Sequence, residues 1–155
     1  MFENPPSLLA VAVVVIGLAV LGFFLREGVV TSNIYKRGVK LYQDKDYKAA
    51  EAAFRQVIAR HPSNDAVRLL LGDTLIKQER VEEAIAQFKE LAARAPKNVD
   101  ARLRLGMALI GQGKLEEATS SLETARDLLT KQRQVEKVDA VEQLLKEIST
   151  QQSLT

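Results

Sequence analysis

Few side chains in this sequence are of types that carry catalysis. His61 is the single histidine, and it precedes Pro62 in the polar stretch RHPSND, where a solvated ring at a helix end is expected. No serine or carboxylate stands at a spacing that would assemble a nucleophile and base around it. The chain has no cysteine, which removes thiolate chemistry, disulfides and cysteine-held metals and fits a reducing compartment. The glycines do not cluster into a phosphate-cradling loop. Glu82–Glu83 and Glu116–Glu117 fall where first turns of helices are expected, and the helix dipole favours carboxylates there. These residues therefore point away from an enzyme and give no reason to expect a metal or cofactor.

Charge narrows the classes further. Twenty-two Lys and Arg face twenty Asp and Glu, for a net charge of +2, and the two signs alternate finely. Without a concentrated basic face there is little to neutralise phosphates, so nucleic acid is not an expected partner. The apolar residues are less evenly spread. After a short tail over 1–6, residues 7–25 read SLLAVAVVVIGLAVLGFFL with no charge. As a helix this stretch covers about 28 Å, close to a hydrocarbon core. No basic residue precedes it and no small-residue cleavage site follows, so an anchor is expected in place of a cleaved signal. Only Glu3 lies before it, whereas Arg26, Lys36, Arg37 and Lys40 follow. That bias puts the C-terminal part on the cytoplasmic side, or on the stromal side of a thylakoid.

Beyond residue 30 the chain repeats with a period of 34. Gly38, Gly72 and Gly106 keep that step, as do Ala50, Ala84 and Ala118, then Leu41, Leu75 and Leu109, and Phe54, Phe88 and Leu122. Pro62 and Pro96 keep it too, each closing a helix that it cannot continue, and Asn64 and Asn98 then suit N-caps. Three repeats are expected over 31–64, 65–98 and 99–132, with helices near 31–43, 47–60, 65–78, 81–94, 99–112 and 115–130. A linker over 26–30 would separate them from the span, and an extended linker of that length reaches at most about 20 Å. After the third repeat Val135, Val138, Val141, Leu145 and Ile148 form one apolar stripe, read as a capping helix over 133–149 before a tail over 150–155. The fold class expected is all-α: one transmembrane helix, a three-repeat solenoid and a cap.

Helix–turn–helix content at this period resembles the tetratricopeptide repeat. Small residues at the glycine and alanine positions let paired helices approach. The usual Trp is replaced by Ile34, Arg68 and Arg102, Arg37 stands where Leu is common, and Thr130 replaces the third proline, so that helix is expected to run on. The resemblance implies a concave binding face lined by first helices: Tyr35, Val39 and Tyr42, then Leu69, Asp73 and Ile76, then Leu103, Met107 and Ile110. Most are apolar, so an apolar protein partner is implied. The basic clamp by which some relatives hold a C-terminal carboxylate is missing, since Tyr35 and Val39 occupy its first-repeat positions and Asp100 a third-repeat one.

An uncharged span beginning SLLAVAVVV, a very short linker, three repeats and a terminal helix together resemble the photosystem I assembly proteins of cyanobacterial and plastid thylakoids. That resemblance implies a protein adaptor for subunits of a membrane complex, a photosystem I intermediate, with the repeats facing the stroma or cytoplasm. It implies no pigment ligation. The competing expectation is a bacterial envelope scaffold for secretion, pili, cytochrome maturation or lipopolysaccharide control.

Overall fold

The computed structural model describes residues 8–153. The tail over 1–6, Ser7 and the last two residues lie outside the described part. Seven helices follow in order: α1 Leu8–Gln43, α2 Tyr47–Arg60, α3 Asp65–Lys77, α4 Val81–Arg94, α5 Val99–Gly111, α6 Leu115–Lys131 and α7 Val135–Ser153. Consecutive helices pack on one another down the chain.

The expected linker is the main correction. Residues 26–30 do not break the chain; α1 runs through them as one helix of 36 residues, about 54 Å long. Helix already exists on both sides, so each residue added between costs no new nucleation. Gly28 opposes this by only about 1 kcal/mol, and no proline intervenes. Glu27 is also held from the side, because Arg60 Nη1 at the end of α2 reaches its carboxylate at 2.8 Å. Five helical residues rise about 7.5 Å, well short of the extended reach. From Ala10 to Leu25 α1 is apolar and exposed, and it is the one helix among the described residues long and apolar enough to cross a membrane.

Each repeat closes its internal turn in the same way. Lys45, Glu79 and Gly113, one period apart, take φ of 63°, 61° and 70°. This left-handed residue lets the next amide return to the first helix: Asp46 to the Leu41 carbonyl at 2.9 Å, Arg80 to Leu75 at 3.0 Å and Lys114 to Leu109 at 3.0 Å. The turns between repeats are of another kind. There Asn64 and Asn98 side chains accept from the Val67 and Ala101 amides at 3.1 and 3.0 Å, capping α3 and α5 as expected. With Thr130 in the proline position, α6 does run on to Lys131.

The glycines mark where the paired helices touch. A Cβ on Gly38 would meet the Phe54 ring at 2.8 Å, and one on Gly106 would meet Leu122 at 2.7 Å. At Gly72 the Phe88 ring is closer still. Phe54, Phe88 and Leu122 are in turn wholly buried, in one continuous core that extends to Val141 and Ile148 of α7. Val138, Leu144 and Leu145 also pack on that core, whereas Val135, expected in the stripe, is exposed. Arg133, with φ of 58°, delays the start of α7 to Val135, and the helix then continues beyond the expected 149 to Ser153.

One ionic node joins the first two repeats. Glu51, almost buried, accepts from Arg80 Nη1 at 2.6 Å, Arg55 Nε at 2.8 Å and Gln78 Nε2 at 2.9 Å. Burial alone would raise its pKa, but the hydrogen bonds from Gln78, Arg55 and Arg80 outweigh it and hold the carboxyl below its usual value. A depressed folded-state pKa adds stability that is complete above the unfolded value, about 4.3, and lost as pH falls through the folded one. Glu51→Gln is therefore expected to lower unfolding free energy by about 1–2 kcal/mol at pH 7, given the partial exposure of both arginines. The deficit should vanish in acid. Denaturant titrations at pH 7 and pH 3 check this, and a deficit independent of pH would refute it.

Candidate functional site

The first helices α1, α3 and α5 enclose a cleft of about 300 Å³. Tyr42 comes from α1, Asp73, Ile76 and Lys77 from α3, Arg104, Met107 and Ala108 from α5, and the buried Phe88 of α4 lies beneath them. The lining is mainly apolar, with its charges on the walls. Arg104 Nε donates to both Asp73 oxygens, at 2.9 and 3.0 Å, tying the second repeat to the third across the cleft. Both side chains keep roughly a third of their exposure, so the pair adds little stability; it fixes the spacing of α3 and α5 instead. Tyr42 stacks edge-on against Tyr47, with ring centroids 5.5 Å apart. Burial first, and the Asp73 carboxylate second, raise the Tyr42 pKa, so its phenol stays neutral and remains a donor.

The nine residues expected on the concave face divide into four groups. Tyr42, Asp73, Ile76 and Met107 line the cleft. Val39, Leu103 and Ile110 are partly buried and pack against the core. Leu69 belongs to the core itself, at 9% exposure, and is not available to a partner. Tyr35 is exposed on α1, outside the cleft. Lys77, Arg104 and Ala108 were not anticipated. Periodicity finds positions shared by all repeats, and Arg104 is matched by Leu70 and Lys36 one and two periods earlier. The usable signal was pairing: Asp73 and Arg104 are 31 residues apart, one period less one helical turn, which brings side chains of successive first helices together.

Such a cleft has the makings of a binding surface. Its apolar floor offers area to a hydrophobic side chain, and Lys77 with the Asp73–Arg104 pair offers polar contacts at its walls. The partner chemistry it suits is amphipathic, not purely apolar.

Two family profiles described as tetratricopeptide repeat match the chain, over residues 41–95 and 69–129. The chain folds as a tetratricopeptide-repeat solenoid. Solved structures agree. The Yersinia enterocolitica type III secretion chaperone SycD, in complex with a peptide of the translocator YopD, superposes with a TM-score of 0.71 at 20% identity, covering 78% of this chain and 93% of that one. The TPR2B domain of yeast Sti1, in complex with Hsp70, gives 0.71 at 22% identity over 78% and 97%. A type III secretion complex from Aeromonas hydrophila gives 0.74 at 17% over 81% and 85%. At such identities the likeness speaks for the fold. No curated protein matches the sequence.

Proposed function

We propose that this tetratricopeptide-repeat protein is a membrane-anchored adaptor that binds other proteins and catalyses nothing. The observation that carries the reading is α1: apolar and exposed from Val11 to Leu25, it continues without a break into the first repeat. In a bilayer that segment anchors the chain, and the flanking Arg26, Lys36, Arg37 and Lys40 favour the cytoplasmic or stromal side for the repeats. The cleft then takes an extended or helical segment from a subunit of a membrane complex. Similar folds in complex with a translocator peptide and with Hsp70 support a peptide ligand. Tethering raises the effective concentration of cleft and partner, so modest contacts suffice.

The finer reading is assistance to photosystem I assembly at the thylakoid. Its support is the layout of span, three repeats and terminal helix. A scaffold of the bacterial envelope is the second reading, favoured by the likeness of fold to secretion chaperones. Native membranes solubilised in mild detergent, with the chain captured and its companions identified by mass spectrometry, separate the two. Photosystem I subunits in an incomplete set are the expected result. Envelope or secretion components alone would reject the photosynthetic role and keep the adaptor. Capture of no companion that depends on the cleft would reject the adaptor.

A further inference from the structure

A second pocket lies on the other side of the solenoid from the cleft, between the second helices α4 and α6 with α5 beneath them. Its volume is about 340 Å³, and Arg102, Lys89, Glu117, Ser120 and Ser121 are among the residues that line it. Arg102 is one period on from Arg68, and the two arginines are treated very differently. Arg68 Nη1 pairs with Glu90 at 3.2 Å, and its Nε donates to the Pro62 carbonyl at 3.2 Å. Arg102 Nε is buried and meets no acceptor among the described residues. The repeats also differ opposite the terminal guanidinium nitrogens. One period beyond Glu90 stands Thr124, whose hydroxyl is turned to the Ser120 carbonyl at 3.0 Å. Among the described residues Arg102 therefore lacks the carboxylate that pairs with Arg68 Nη1, as well as an acceptor for its own Nε.

An unmatched buried donor of this kind bears the desolvation penalty of its group with no bond to offset it. The guanidinium it belongs to lines an open pocket whose other ions, Lys89 and Glu117, already satisfy each other at 2.6 Å across the rim. The remaining charge of the pocket is thus one positive guanidinium, with the planar fork that matches a carboxylate.

We propose that this pocket receives a carboxylate carried by a protein partner, an Asp or Glu side chain, which gives Arg102 what Glu90 gives Arg68. The surface is separate from the cleft, so the inference stands whatever the cleft binds. An adaptor with both surfaces would hold two protein segments on opposite faces of the same repeats.

The test uses the full chain, isotope-labelled in detergent micelles. Its arginine Nε–Hε signals are followed by NMR while N-acetylglutamic acid α-amide, whose only carboxylate is the side chain, is added. The Arg102 signal and the Ser121 amide should move together and saturably, while the Arg68 signal stays still. Thr124→Glu supplies an internal carboxylate and should abolish the response. Arg102→Gln should weaken the Ser121 response by about tenfold or more. Absence of a saturable shift, a response to inorganic phosphate but not to the carboxylate, or an undiminished response in folded Thr124→Glu or Arg102→Gln would each overturn the proposal.

Discussion

Phe88→Ala is expected to lower the stability of the repeat domain by about 3–5 kcal/mol, a large fraction of what holds any small domain together. The ring is 1% exposed and fills the space that Gly72 leaves open on the facing helix. It sits in the middle repeat, and in a solenoid each repeat is stabilised by its neighbours, so both interfaces lose by its removal. Gly72→Ala should also destabilise, although alanine is the better helix former by about 1 kcal/mol. Its methyl group would collide with the ring, and overpacking costs about 1–3 kcal/mol. In the double variant the added methyl enters part of the void, so the combined loss should fall short of the sum by about 1 kcal/mol. Denaturant unfolding of the four chains, followed by circular dichroism, measures this. Strict additivity would mean that the glycine is not there to admit the ring.

Met107→Glu is expected to reduce partner capture from native membranes about tenfold or more, with thermal unfolding almost unchanged. Met107 is 63% exposed and lines the cleft. Methionine and glutamate have similar helix propensity, and a substitution at an exposed site away from the core shifts stability by about 0.5 kcal/mol or less. A charge on the apolar floor, by contrast, strikes the central part of a binding surface, where a few residues carry most of the energy. Met107→Leu should retain capture. Undiminished capture by the glutamate variant would remove the cleft from the binding surface. A parallel substitution at Leu69 would be a poor probe, since an acidic group there would be forced into the core.

These two cases show how much of the molecule was legible in its sequence. The period of 34 located α2 to α6 almost to the residue, because each landmark has a local physical cause: a glycine where a ring must fit, a proline that stops a helix, an asparagine that caps the next. The break at 26–30 was misjudged because composition marks where an apolar segment ends and says nothing of whether the backbone bends there. The cleft was half legible. Positions such as Tyr42, Ile76 and Met107 follow from the register. Whether Leu69 faces the same opening depends on superhelical packing, which repeat position alone does not give. Arg104 was missed since its role rests on a cross-repeat partner.

The unbroken α1 also fixes a compass bearing. Gly17, Phe24, Tyr35 and Tyr42 are spaced along it by close to whole numbers of turns, so one side of the apolar segment and the mouth of the cleft share a heading. In the membrane-anchored arrangement proposed above, a neighbouring helix crossing the bilayer on that side would emerge in line with the cleft. Adding or removing a single residue between them would swing the domain by about 100°. In that arrangement the number of residues between Leu25 and Tyr35, more than their identity, would decide which neighbour the cleft greets.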